Sequence, residues 1–571
     1  MIRPRLLAWG LALLALAHAL PASAQWQTDG VPVCVAGGDQ TKPVCIADGV
    51  GGAYIVWEDA RGADPQVYAQ HLNELGVPQW GANGILVSSG FYPQYGPVAV
   101  GSAPGGVIIA WILSLVPGAY EGLGQRLDAA GVAHWGAGGI AITPGPAFPT
   151  KLAIISDNGT PLSQPAGAIL GWTDIRGGVT TDIYVGAVSG NGVQRWSSPV
   201  CTAGGNQDAP CIASDGASNI HGNAQGAILA WRDYRAGPGD PDIYAQRINY
   251  AGVAQLAADG VGVATGITSV LEPVIVPAGS QNAIVCWPGP AAGRTYGLYA
   301  DRVGGLGSWG SAVPVTTPNS SQSDPAAMSD FAGGMIVTWS QSAAGLTRDL
   351  FAQRLDPTGA ALWGTTGQLV CVSPKSEGSP VIVPGRSGAS AIAWIDNRNE
   401  ANGDVYAQLL DANGARQWSP GGVPLCRAIG VQTELSASAD TTGGSIVAWT
   451  DYRNGNADIY AQRVTGWGGV VGVEPGLTTG LALSAPVPNP TRAGLALGFD
   501  LPAECAVSAA VYDASGRRVR ALLESGTRPA GRNTLAWDGR DDGGSPLPSG
   551  VYWIAVRAGV AMAARRAVVL R

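Results

Sequence analysis

The sequence predicts an all-β protein: an eight-bladed β-propeller with four-stranded blades, followed by a C-terminal β-sandwich. Three observations lead there. A pair of apolar strands joined by a polar loop, typified by residues 230–248 (AWRDYRAGPGDPDIYAQRI), returns eight times. The copies recur at intervals of about 56 residues, near the period of radial arrays of four-stranded sheets. No helical periodicity of 3.6 runs through the repeated segments.

The anchoring tryptophans are Trp57, Trp111, Trp172, Trp231, Trp287, Trp339, Trp394 and Trp449. Each closes a strand-like run such as AYIVW or SIVAW, and a second run such as QVYAQHL or DIYAQRV follows after a polar loop. A glycine turn and often another tryptophan come next, as at 76–89 and 414–428, starting a short strand. A further run precedes the anchoring strand, as at 209–216 and 433–444, and ends in a turn rich in Asp and Gly. That makes four strands per unit. An open β-solenoid is the alternative, although its coils are usually shorter.

Residues 25–35 (QWQTDGVPVCV) match 417–427 (QWSPGGVPLCR), so the region begins with the last strand of a unit. That strand is expected to pair with the eighth unit, near Thr433 onward, and to cover an exposed sheet edge. Residues 469–473 are the competing candidate for the same place, which leaves seven or eight complete blades open.

The first 24 residues read as a signal peptide. Arg3 and Arg5 precede an apolar run over 6–20, and Ala22-Ser23-Ala24 suits cleavage before Gln25. The alternative, an N-terminal anchor, is disfavoured because the run is short for a bilayer. No later segment approaches that length, so no transmembrane span is expected after cleavage. Charged residues make up 13% of the chain and its net charge is −8, with lysine only at 42, 151 and 375. Without a basic patch, nucleic acid and anionic membrane are poor partners.

Export permits disulfides. Cys34 with Cys45 and Cys201 with Cys211 occupy matching positions in two copies of the repeat, and two bridges are expected there. Zinc is not expected: there is no CxxC, and His71, His134 and His221 are scattered.

Past residue 474 the repeat stops. Residues 474–486 read as a linker and 487–571 as about seven short strands with turns at 514–516, 541–544 and 548–550. Pro488-Asn489-Pro490, Phe499-Asp500-Leu501-Pro502, Val511-Tyr512-Asp513 with Gly516-Arg517 and Val519, Trp537-Asp538-Gly539 with Asp541 and Gly544, Ser549-Gly550-Val551-Tyr552, and the basic-apolar end 565–571 follow in order. This series resembles the FlgD-like immunoglobulin fold, which serves as a C-terminal sorting domain in type IX secretion substrates. The resemblance covers about one sixth of the chain. It implies an immunoglobulin-like β-sandwich, secretion machinery as a partner, and an extracellular or outer-membrane surface location in a Gram-negative-type bacterium. The domains expected are therefore 1–24 signal peptide, 25–473 propeller, 474–486 linker and 487–571 sandwich.

The most chemically suggestive residues form a repeated W-x-D-x-R motif, found as Trp57, Asp59 and Arg61; Trp172, Asp174 and Arg176; Trp231, Asp233 and Arg235; Trp394, Asp396 and Arg398; and Trp449, Asp451 and Arg453. Strand alternation puts the three side chains on one face, so the carboxylate and guanidinium can pair beneath the hairpin. Five copies suit a structural bracket better than a single active site. The motif has decayed after Trp111, Trp287 and Trp339.

The loop with Asp451, Asn454, Asn456 and Asp458 gathers oxygen ligands that could hold calcium, but Asx turns account for the same residues. No other cofactor is expected. Trp80, Trp135, Trp196, Trp363 and Trp418, and the recurrent Tyr68, Tyr184, Tyr244, Tyr299, Tyr406 and Tyr460, suit inter-blade packing better than sugar stacking. No S-x-D-x-G-x-T-W box, no G-x-S-x-G motif and no singled-out carboxylate pair point to catalysis. The expected function is an exported, non-catalytic and monomeric binding scaffold for protein or glycan. The alternative is a secreted polysaccharide hydrolase or lyase acting in the propeller channel.

Overall fold

The computed structural model describes residues 26–571 except 89–91, 104, 117–118, 144–148, 158–164, 177, 217–224, 267–268, 291–295, 318–319, 343–346, 400–402, 467, 471–481, 484–485, 487, 493, 502–504, 514–516, 530 and 559–560. The expected signal peptide, most of the expected linker and the turn at 514–516 lie outside the described residues. Two compact units are present, one ending at Gly472 and the other beginning at Val473.

The first unit is an eight-bladed β-propeller of four-stranded antiparallel sheets. The first sheet runs Gln40–Ala47, Ala53–Asp59, Gln66–Leu72 and Ile85–Leu86, each strand bonded to the next in sequence. Six more sheets repeat that order. The eighth is built from Gln432–Ala439, Ser445–Asp451 and Asp458–Val464, and its fourth strand is Val31–Cys34 from the other end of the chain. Val31 pairs with Ala461 and Pro32 with Tyr460. The described residues of the competing segment supply an isolated bridge from Val470 to Val464.

The second strand of each sheet is an unbroken apolar run because both its faces are covered by neighbouring sheets. Ala53–Asp59, Ala227–Asp233 and Ser445–Asp451 are buried almost throughout. Each anchoring tryptophan is fully buried and packs into the apolar layer between adjacent sheets. The layer between the eighth and first sheets joins Ile446, Ala448, Ile459 and Ala461 to Ala53, Ile55, Trp57 and Leu72.

The two expected disulfides are not formed: Cys34, Cys45, Cys201 and Cys211 all carry free thiols. Cys34 lies on one edge strand of the eighth sheet, whereas Cys45 faces Ser438 Oγ at 3.3 Å on that sheet's opposite edge strand. Edge strands of a four-stranded sheet stand roughly 14 Å apart, beyond the reach of a disulfide. Cys201 and Cys211 likewise point to different partners, Asp233 and the carbonyl of Ala230. The short loop between the paired cysteines spans the width of a blade.

The second unit has a three-stranded sheet (Ala482–Leu483, Leu495–Leu501, Gly531–Trp537) and a four-stranded sheet (Arg518–Arg528, Cys505–Tyr512, Gly550–Ala558, Ala561–Val569). Their shared core includes Leu497, Phe499, Val511, Trp537, Tyr552 and Ile554. No helix among the described residues is long and apolar enough to cross a membrane.

Candidate functional site

The loops between the second and third strands, and the links from each sheet to the next, lie at one end of the propeller. Hydrogen bonds join them: Ala60 N to Asp39 O, Tyr234 N to Asn206 O and Tyr452 N to Val431 O, each at 2.8–2.9 Å. The W-x-D-x-R residues sit directly beneath this face.

In the first sheet, Asp59 receives Trp57 Nε1 at 2.7 Å and Arg61 Nη2 at 2.6 Å on Oδ2, with Arg61 Nε at 2.8 Å and the Arg61 amide at 3.0 Å on Oδ1. Arg61 also donates to the Asn83 carbonyl, and its guanidinium lies 3.9 Å over the Tyr68 ring. The same pairing recurs between Asp174 and Arg176, Asp233 and Arg235, Asp396 and Arg398, and Asp451 and Arg453, each arginine covering the tyrosine of the next strand.

The bracket of Arg176 differs from the other four in how its fork meets the carboxylate. Arg61, Arg235, Arg398 and Arg453 direct Nε to Oδ1 of their aspartate and Nη2 to Oδ2. Arg176 instead brings both Nε, at 2.9 Å, and Nη2, at 2.6 Å, to Oδ2 of Asp174, while its amide donates to Oδ1 at 2.9 Å. One carboxylate oxygen has lone pairs enough to accept both N–H groups, so the pair survives the shifted fork. The Arg176 guanidinium still lies 4.1 Å over the Tyr184 ring.

The five aspartates are buried. Burial pushes the Asp233 carboxyl up, but the bonds from Arg235 and Trp231 outweigh it and hold the group below its ordinary range. Such a carboxylate has its acceptor sites filled and is a poor base or nucleophile.

A second aspartate stands opposite the first in four sheets: Asp174 with Asp182, Asp233 with Asp242, Asp396 with Asp404 and Asp451 with Asp458. Burial, followed by other nearby carboxylates including the opposite aspartate, raises Asp182; Asp242 and Asp458 are also raised, again mainly by burial. Four copies of one carboxylate pair mark a frame rather than a single reacting centre. In the loop considered for calcium, Asn454 Nδ2 donates to Asp458 Oδ2 at 2.7 Å and Asn456 Nδ2 to Asp458 Oδ1 at 3.0 Å, while Asp451 is held by Trp449 and Arg453.

Four of the second tryptophans staple one sheet to the next through their indole N–H, whereas Trp418 packs its ring against Gly468 with its N–H buried and unpartnered. Trp80 Nε1 donates to Ala129 O, Trp135 to Gly190 O, Trp196 to Tyr250 O and Trp363 to Ala412 O. Trp309 does the same to Pro357 O, and Trp26 to Glu74 O. The sequence reading missed these last two, although their tryptophan-to-glycine spacing resembles that of the others. The ring in each case lies against a left-handed glycine of the neighbouring turn, as Trp80 does at Gly131, where a Cβ would meet it at 3.0 Å.

The decayed copies differ in detail. The Trp111 indole bonds Gln94, and Trp339 Nε1 reaches Gln341 Oε1 at 3.2 Å. Trp287 Nε1 is buried without a partner, Gly289 standing where the aspartate would be. The hairpin Gly106–Val116/Ala119–Asp128 is longer than its counterparts.

One further position departs from the repeat and was not singled out by its motif. Gln40, Gln207 and Gln432 each open the first strand of a sheet opposite the bracket aspartate. In the seventh sheet that residue is Glu377, opposite Asp396. Glu377 is 1% exposed, and burial, together with the Asp396 and Asp349 charges, pushes its carboxyl up to about 7. A Gln-to-Glu change leaves size and apolar pattern untouched, so only alignment of the eight copies could have exposed it.

A family model described as FlgD Ig-like domain matches residues 491–561, bearing out the immunoglobulin-like reading of the C-terminal unit. No curated protein matches the chain. Among solved structures, the chain is similar to an α-L-arabinanase of Penicillium chrysogenum complexed with arabinobiose, at 13% identity over 55% of this chain and 93% of that one, with a TM-score of 0.34. It is also similar to a fungal alcohol oxidase of the AA5 family in complex with copper, at 10% identity over 94% and 98% of the two chains, TM-score 0.37. A third similarity is to the GH93 α-L-arabinofuranosidase of Fusarium graminearum with arabinobiose, at 12% identity over 57% and 96%, TM-score 0.33.

Proposed function

We propose that the protein is an exported, non-catalytic binding scaffold for a protein or glycan, its ligand held by the variable loops above the W-x-D-x-R brackets. One observation carries this reading: the polar residues that recur beneath the face are consumed by one another. Asp59, Asp174, Asp233, Asp396 and Asp451 are each locked by their own arginine and tryptophan. What faces solvent differs from sheet to sheet and includes Tyr92, Leu271, Ile429 and Tyr452. A rigid frame carrying variable loops suits recognition. The C-terminal module is assigned to sorting by the secretion machinery, delivering the propeller to the cell surface or medium.

A glycan array and a pull-down with surface proteins should find a ligand whose binding is lost when the hairpins after Trp111, Trp287 and Trp339 are replaced by that of residues 231–244. Turnover in a polysaccharide-degradation screen would overturn the non-catalytic reading. Deleting 487–571 should leave a folded propeller in the periplasm; normal surface delivery would refute the sorting role.

A further inference from the structure

We propose that Cys371, Glu377 and Asp396 form a site for one divalent transition-metal ion of the zinc class, buried where the sixth and seventh sheets meet. The thiol sulfur and one oxygen from each carboxylate lie within 4.8 Å of one another, and all three residues are buried. Neither oxygen of Glu377 accepts a well-formed hydrogen bond although the residue is almost fully enclosed, the Ser373 hydroxyl and the Cys371 thiol being the side-chain donors beside it. A buried ionised carboxylate without a donor is strongly unfavourable, and a bound cation removes that cost.

Comparison with the sister sheets shows why this position differs. Gln40 Nε2 donates to the carbonyls of Gly37 and Gly38, Gln207 to those of Ala203 and Gly205, and Gln432 to those of Ala428 and Gly430. An ionised glutamate at the same place has no hydrogen to give. The thiol has also changed partners. Cys34, Cys201 and Cys426 each receive the bracket arginine's Nη2 at 3.1–3.2 Å. Arg398 Nη2 keeps the bonds to its aspartate and to a backbone carbonyl, here Gly421, that its sisters also make, but has no bond to the thiol, and Cys371 sits against Glu377.

The charges around the site favour a dication. Asp396 has Glu377 opposite it on one side of the ladder and Asp404 on the other, and Asp349 approaches from the sixth sheet. Arg398 is the guanidinium paired with this group. A thiolate with two carboxylates suits zinc and its congeners rather than calcium or magnesium, which seek oxygen alone. Tetrahedral coordination would require the three ligand atoms to close by roughly 1 Å and Asp396 to give up one of the bonds it accepts from Trp394 and Arg398 in exchange for the ion. Binding would release the thiol proton.

The test uses the full purified protein, stripped with a chelator and titrated with Zn2+ and, separately, Co2+. The wild type should bind one Zn2+ per chain, melt at a higher temperature with zinc than without, and show a thiolate-to-cobalt absorption band. Glu377→Gln restores the residue of the sister sheets and should fold normally but bind no zinc. Cys371→Ser should abolish the cobalt band and weaken binding at least tenfold. Failure of the folded wild type to bind zinc overturns the proposal, as does unchanged stoichiometry in Glu377→Gln or a cobalt band that survives Cys371→Ser.

Discussion

The indole N–H of Trp26 donates to the carbonyl oxygen of Glu74 at 3.0 Å, and its ring lies against Gly76 in the same turn. Trp26 precedes the strand that completes the eighth sheet, while Glu74 belongs to the first. The bond therefore ties the sheet containing both ends of the repeat region to its neighbour.

Trp26→Ala should accordingly cost about 3–5 kcal/mol, the range for emptying a buried tryptophan site. Urea unfolding of the purified protein measures this. A loss below about 1 kcal/mol would mean that this staple contributes little.

The bracket predicts a different penalty. Arg235→Ala leaves Asp233 buried beneath the hairpin with only Trp231, a backbone amide and the weakly donating Cys201 thiol. Breaking one side of a buried pair typically costs about 3–5 kcal/mol. Ligand binding by the folded fraction should be unchanged, because the pair is structural. Lost affinity at full folding would place the bracket in the binding site instead.

Metal-free protein should weaken as pH rises. The Glu377 carboxyl ordinarily titrates at 4.5 and is pushed up to about 7 in the folded state by burial and then by the Asp396 and Asp349 charges. Between those values the folded chain keeps a proton that the unfolded chain has released. The stabilising contribution is full below about 4.5 and gone once pH has risen through about 7, a change on the order of 3 kcal/mol. Denaturation midpoints at pH 5 and pH 8 should differ more for wild type than for Glu377→Gln; equal differences would reject this assignment.

Cys34, Cys45, Cys201 and Cys211 should all be alkylated when the protein is denatured without a reductant, and mass spectrometry of the digest reads this directly. In the folded state Cys45 should resist, because burial pushes its thiol up to about 12 and it is enclosed between sheets. A Cys34–Cys45 cross-linked peptide would contradict the separation of the two strands.

Much of the architecture was legible because its causes are local. The run before each anchoring tryptophan is apolar throughout because that strand is covered on both faces, and the turns carry glycines that suit left-handed backbone, such as Gly131. The match between residues 25–35 and 417–427 exposed the pairing of Val31–Cys34 with Asp458–Val464 because the same strand position makes the same demands in every copy. The brackets were legible too, since Trp, Asp and Arg lie within five residues on one strand and its turn. The shifted fork was not: the motif around Arg176 reads like the others, yet its Nε and Nη2 share one oxygen of Asp174. The orientation of a guanidinium is set by the space around it, which the motif does not record.

The sequence by itself thus determined the repeat, the strand type and the immunoglobulin-like character of the C-terminal module, all written in short-range pattern. Tertiary structure decided what depends on distance across a blade. Cys34 and Cys45 are eleven residues apart yet lie toward opposite edges of a sheet, whereas Cys371 and Asp396, twenty-five apart, come together around Glu377. Proximity there is set by the width of four hydrogen-bonded strands and the packing of one sheet on the next, which spacing along the chain does not encode.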